Sequence, residues 1–146
     1  MRHLAAALAA FALAAAPALA DDDDGFGLAG ILSSKNKEEL PPIMLSPGEP
    51  LAAAPLTLKS GVYYEIEIES DGAAELALVG PEFFRAIWID EIVIEGIEIR
   101  PLGVDSFEFD EAGTMELGFL AIKPGSYYLK VPGSSGDLQT LAITIE

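Results

Sequence analysis

The sequence predicts an all-β domain, a sandwich or barrel of short strands. Three observations carry this. From Ile43 onward apolar and polar residues alternate in short runs. Turn signals such as Ser60-Gly61 and Asp71-Gly72 break those runs, and no long segment keeps a helical period.

Before that domain lie two segments of other character. The chain begins MRHLAAALAAFALAAAPALA, with Arg2 and His3 ahead of an Ala/Leu run and Ala18-Leu19-Ala20 as a small-x-small site. This reads as a secretory signal peptide over 1–20, cleaved after Ala20. The competing reading, an N-terminal membrane anchor, fits less well, because the run is short, rich in weakly apolar alanine and followed at once by four aspartates. No later run is long and apolar enough to span a bilayer, so no membrane span is expected after cleavage. Residues 21–42 carry Asp21, Asp22, Asp23 and Asp24, several glycines and no sustained period, and are expected to form a flexible acidic arm in which Phe26, Leu28, Ile31 and Leu32 are candidates to dock on the domain. Pro41-Pro42 mark the boundary, leaving 43–146 as one domain.

Within the domain, PLTLKSG places Leu56 and Leu58 inward. VYYEIEIESDG puts Tyr64, Ile66 and Ile68 on one face and Glu65, Glu67 and Glu69 on the other. AAELALVG is a further strand. PEFFRAIWIDE is irregular, and reads as a helical turn or a connection packing Phe83, Phe84 and Trp88 over the sandwich edge. In IVIEGIEIR, Ile92 and Ile94 differ in parity from Ile97 and Ile99, and a bulge near Glu95-Gly96 would return all four to one face. Phe107 pairs in parity with Phe109, Met115 with Leu117 and Phe119, Tyr127 with Leu129 and Val131, and Leu141 with Ile143 and Ile145.

The formal net charge of −16 argues against nucleic acid and against anionic membranes as partners; it favours a basic protein, a cation, or solubility alone. Cysteine is absent, so the fold must rest on its packed core, and an exported, disulfide-free, alanine-rich chain reads as bacterial and periplasmic.

Three stretches, LTLKSGVYYEIEIES, PEFFRAIWIDEIVIEGIEIRPLG and SFEFDEAGTMELGFLAIKPGSYYLKVPG, together resemble a cupredoxin, and AIKPGSYYLKVPG is the most telling of them. The resemblance covers about Ile43 to Glu146 and is closest to periplasmic cupredoxin-like proteins often termed copper-binding. It implies a Greek-key β-sandwich. It also implies where copper ligands would stand: the cysteine at Val131, the following histidine near Ser134, the axial ligand near Leu138 or Gln139, and the upstream histidine between Glu75 and Phe84. A type 1 site needs a thiolate and two imidazoles. The chain has no cysteine, and its one histidine, His3, falls in the leader. No type 1 copper, and no other cofactor, is therefore expected, and the family fold does not bring the family activity with it.

Other chemistry is sparse. Met44 and Met115 are the methionines outside the leader, and Met115 sits in a strand period that reads as core. Asp21–Asp24 offer carboxylates on a flexible segment, a weak cation binder at best, and Asp90, Glu91, Glu95 and Glu98 form a second acidic group that reads as a solvated face. Without histidine or cysteine the usual nucleophile–base pairs are missing, so no catalytic residues are assigned and the protein is not expected to be an enzyme. Phe83, Phe84, Arg85 and Trp88 form a candidate docking surface; alternatively the aromatics plug one end of the sandwich. Tyr63 and Tyr128 are candidates for outward faces. The expected function is an exported, non-catalytic binding or accessory module acting through an acidic surface built from Asp21–Asp24 and from Glu65, Glu67 and Glu69. Its expected partner is a basic periplasmic protein such as a cytochrome. The alternative is a periplasmic protein handling copper or another metal through oxygen or methionine ligands.

Overall fold

A computed structural model describes residues 27–134 and 137–146. The expected signal peptide, its cleavage site, Asp21–Asp24 and Phe26 lie outside the described residues. Eleven strands form two sheets: β1 (Lys37–Glu39), β2 (Ile43–Leu45), β3 (Leu56–Leu58), β4 (Tyr63–Ser70), β5 (Leu76–Val79), β6 (Ile87–Ile94), β7 (Ile97–Ile99), β8 (Ser106–Phe109), β9 (Gly113–Ala121), β10 (Gly125–Lys130) and β11 (Thr140–Ile145). One four-residue helix, α1 (Pro81–Phe84), precedes β6. No helix among the described residues is long and apolar enough to cross a membrane.

The first sheet runs β1-β4-β9-β6-β7, with β2 also paired to β4; the second runs β3-β11-β10-β5-β8. The alternation expected from sequence fixes which side of each strand is buried. Tyr64, Ile66 and Ile68 of β4, Met115, Leu117 and Phe119 of β9, and Leu141, Ile143 and Ile145 of β11 all face the interior. Leu56, Leu58, Leu129 and Val131 join them. The all-β sandwich is thus a direct product of the period-two pattern.

The structure corrects one local expectation and sharpens two. First, Glu95-Gly96 is not a bulge within one strand. It is the two-residue turn of a β6–β7 hairpin, with Ile94 opposite Ile97 and Ile92 opposite Ile99. Both turn residues have positive φ, 50° and 78°, the combination that matches the twist of a tight hairpin. The four isoleucines do share one face, but by reversal of the chain. The bulge lies earlier in β6, where the register with β9 shifts between Ile89 and Glu91.

Second, PEFFRAIWIDE divides. PEFF is the helical turn, opened by Pro81 at its start, and IWIDE begins β6. Third, part of the expected arm is ordered on the sandwich. Lys37–Glu39 pairs in parallel with Tyr63–Glu65 of β4. Just before it, Asn36 is buried, and its Nδ2 donates to the carbonyls of Ile31 at 2.7 Å and Gly61 at 2.8 Å.

Candidate functional site: an acidic sheet face

The outer face of the first sheet is assembled by register. Alternation along β4 turns Tyr63, Glu65, Glu67 and Glu69 away from the core. On β9, Glu65 stands opposite Gly118, Glu67 opposite Glu116, and Glu69 opposite Thr114. On β6, Glu91 stands opposite Gly118 and Val93 opposite Glu116, and Glu98 of β7 follows opposite Val93. The Glu67–Glu116 pairing is unfavourable twice over, because glutamate is a poor strand former and like charges directly opposite repel.

Two cations offset part of this charge. Lys37 forms an ion pair with Glu65. Arg100 reaches Asp90 at 2.8 Å and both Glu91 and Glu98 at 3.1 Å. The bulge at Asp90 makes this fork possible, since it presents consecutive carboxylates to a single guanidinium. No lysine or arginine bridges Glu67, Glu69 or Glu116 among the described residues. The carboxyl of Glu67 is held above its ordinary range by sharing a hydrogen bond with Glu69, with slight desolvation and the charges of Glu69 and Glu116 acting the same way. Burial raises Glu91, and the neighbouring Glu98 adds to that.

A groove of about 280 Å³ runs along this face, lined by Glu39, Glu65, Glu67 and Glu116 together with Leu40 and Pro42. At one end a second hollow of about 210 Å³ is roofed by Leu32, Ser33 and Ser34 over Tyr63, Asp90 and Glu91. Tyr63 does face outward, yet it is buried, and its hydroxyl donates to Asp90 at 3.3 Å. Burial, followed by the charges of Asp90 and Glu91, pushes the Tyr63 phenol far above its ordinary range.

The structure gathers Glu65, Glu67 and Glu69 into one surface and adds to it Asp90, Glu91, Glu98 and Glu116. Glu116 was legible as the polar neighbour of Met115 in TMELGF, but only the register sets it against Glu67. Lys37 and Arg100 carried no such signal.

The docking group is divided. Phe83 and Phe84 are 2% and 6% exposed, so they belong to the core and not to a surface. Phe83 bridges the sheets, with ring centroids 5.8 Å from Phe119 and 6.3 Å from Tyr127, and Phe84 stacks edge-on with Phe107 at 5.4 Å. Arg85 and Trp88 are exposed, Arg85 beside Asp105 and Trp88 on the outer face opposite Leu120. Met44 and Met115 cannot form one site, because Met115 is buried inside the sandwich while Met44 is exposed on its surface. Glu75, Glu108 and Asp110 bring carboxylate oxygens within 4.8 Å of one another, all on exposed residues.

Three of the positions that the resemblance assigns to copper ligands, Val131, Ser134 and Gln139, are joined by hydrogen bonds. Val131 is buried and its N–H donates to the carbonyl of Gln139 at 3.0 Å. The Ser134 hydroxyl donates to the Val131 carbonyl at 2.7 Å, and Gln139 Nε2 donates to the Ser46 carbonyl at 2.9 Å. An apolar side chain, a hydroxyl and an amide engaged in backbone contacts do not fit type 1 copper, which requires a thiolate and imidazoles.

No family model matches the chain. Comparison with curated protein sequences gives no match either. Solved structures do resemble it. A multi-copper oxidase from Pseudomonas thermotolerans aligns with TM-score 0.55 and 14% identity over 77% of this chain and 30% of its own. Copper nitrite reductase from Nitrosomonas europaea aligns with TM-score 0.50 and 17% identity over 65% of this chain and 33% of its own. The chain thus spans about a third of the length of these proteins. The likeness establishes a cupredoxin-like fold.

Proposed function

We propose that the protein is an exported, non-catalytic cupredoxin-like module that recruits a basic protein through the acidic outer face of its first sheet. One observation carries this reading: Glu67, Glu69 and Glu116 form a cross-strand carboxylate cluster that no basic side chain bridges among the described residues. Strands tolerate such a cluster only against local preference, and departures from local rules concentrate at functional surfaces. Hydrated carboxylates contribute little contact energy each, but their combined field accelerates encounter with a cationic surface. An exported cytochrome of high positive charge is the type of partner this field suits.

The test is stopped-flow association with a basic c-type cytochrome at several ionic strengths. The wild-type rate falls steeply with salt, since the field fades over roughly 10 Å at 0.1 M. The Glu65→Gln, Glu67→Gln, Glu69→Gln triple variant slows association about tenfold at low salt with its thermal stability preserved or raised. An association rate indifferent to both salt and the triple substitution would overturn the proposal.

A further inference from the structure

The β6–β7 hairpin closes one end of the first sheet. Ile97 and Ile99 stand opposite Ile94 and Ile92, so all four side chains share the inward face. Ile92 is buried, but Ile94, Ile97 and Ile99 are 40%, 65% and 44% exposed. Across from Ile94 lies β8, whose Phe107 and Phe109 are only half-buried. Between lies a groove of about 350 Å³ with Ile94, Phe107, Phe109 and Met115 among its apolar walls. Its charged lining residues are Glu95, Glu108, Asp110 and Glu111, and no lysine or arginine lines it. Among the described residues β7 pairs only with β6 and β8 only with β5, so each sheet ends here in a free edge.

We infer that this groove seats an extended segment of a partner protein, apolar at alternate positions and basic between them. A free strand edge supplies backbone hydrogen bonds, and an added strand sends every second side chain to one side, here onto Ile94, Phe107 and Phe109. The basic residues between them meet the carboxylate rim. That rim also selects the occupant: a second copy of this chain carries the same rim and a net charge of −16, and an anionic membrane is repelled likewise. The site is separate from the Glu65, Glu67, Glu69 face and does not depend on that face recruiting anything.

The test uses a short fluorescent peptide alternating valine and lysine, titrated by anisotropy and mapped by amide NMR shifts. Saturable binding is expected, with shifts clustered on β7, β8 and the 110–113 link. Replacing the exposed groove residue by Ile94→Ser weakens it about tenfold. Charge reversal by Glu108→Lys with Asp110→Lys, also at exposed positions, weakens it as well. The Glu65→Gln, Glu67→Gln variant, which spares Glu69 beside the groove residue Thr114, changes it by less than about threefold, the effect of a more distant screened charge. Equal binding of a serine–lysine peptide, shifts confined to the Glu65–Glu69 face, or concentration-dependent dimerisation through β7 would overturn the inference.

Discussion

The side chain of Tyr63 lies directly over Gly118 on the neighbouring strand, so that any side chain at position 118 would strike its hydroxyl. The Cγ of Glu91 lies 3.2 Å from the same Cβ position, closing it from the other side. Tyr63 can be buried on an outer face only because this one cross-strand neighbour has no side chain. Gly118→Ala therefore displaces the Tyr63 ring and breaks its contact with Asp90, at a cost of about 1–3 kcal/mol in urea unfolding. Tyr63→Phe alone costs about 0.5–1.5 kcal/mol, the worth of an ordinary hydrogen bond. Removing the hydroxyl also removes the closest clash, so the double variant should be less destabilised than the sum of the two. Strict additivity would show that the two residues do not share the site as described.

Asn36 is the fastening of the N-terminal segment. Its buried amide holds the Ile31 and Gly61 carbonyls at once, joining residues before β1 to the turn before β4. Asn36→Ala leaves both carbonyls without that donor and costs about 1–3 kcal/mol. The loss should be local first. Hydrogen exchange of residues 31–39 should rise markedly, while β9 and β11 keep their protection. Unchanged exchange over 31–39 would mean that the parallel β1–β4 pairing alone holds the segment.

Phe83 joins the two sheets through Phe119 and Tyr127, and its burial is nearly complete. Phe83→Ala opens a cavity between the sheets and should lower stability by about 3–5 kcal/mol. Trp88→Ala, at a residue 44% exposed, should cost far less. Equal losses would return Phe83 to the surface group in which the sequence placed it.

These contrasts show what the sequence could and could not reveal. Alternation identified the buried faces of β3, β4, β9, β10 and β11, because a half-buried strand must keep its apolar residues in one parity. The same rule contained the β6 bulge: Ile87 and Ile89 share a parity that Ile92 and Ile94 do not. The later shift at Glu95-Gly96 masks it and resembles a bulge in sequence, since glutamate is an unusual first residue for a turn with two positive φ angles. Lys37-Glu38-Glu39 offered no alternation at all, being exposed along its length and held by backbone pairing to β4. The acidic site was half legible. Its β4 row is a sequence pattern, whereas the opposition of Glu67 and Glu116 is a product of register between strands nearly fifty residues apart.

The copper-ligand positions yield a spectroscopic prediction. With valine at 131 and no cysteine anywhere in the chain, no thiolate exists to give the strong charge-transfer absorption of a blue site. Cu(II) added to the purified protein should leave the visible spectrum without an intense band. An intense blue colour would refute the assignment of Val131 to the cysteine position or the ligand argument built on it.

Stability should increase on mild acidification. Glu67 and Glu75 are raised above the ordinary 4.5 mainly by hydrogen bonds shared with Glu69 and Glu108, and Glu91 is raised mainly by burial. A carboxyl with a higher pKa in the folded state binds more protons there than in the unfolded chain. Folding therefore gains stability as pH falls through those raised values, a gain complete below 4.5 and lost again as pH rises above them. Asp71 acts in the opposite sense: the Ser46 side chain holds it below 3.8, so its contribution is present above that value and disappears only in stronger acid. As pH is lowered from 7 toward 4.5 the raised carboxyls take up protons in the folded state ahead of the unfolded chain, and the midpoint of thermal unfolding should climb at constant ionic strength. The climb is measurable before the protein nears its sequence pI of about 4.1, where lost charge promotes association. Glu67→Gln and Glu91→Gln should each raise the midpoint at pH 7 and flatten its pH dependence, because the repulsion or burial penalty they remove exists only in the charged form. A midpoint that stays level or falls throughout the descent from pH 7 toward 4.5 would show that the carboxylates of this face are not crowded as the fold places them.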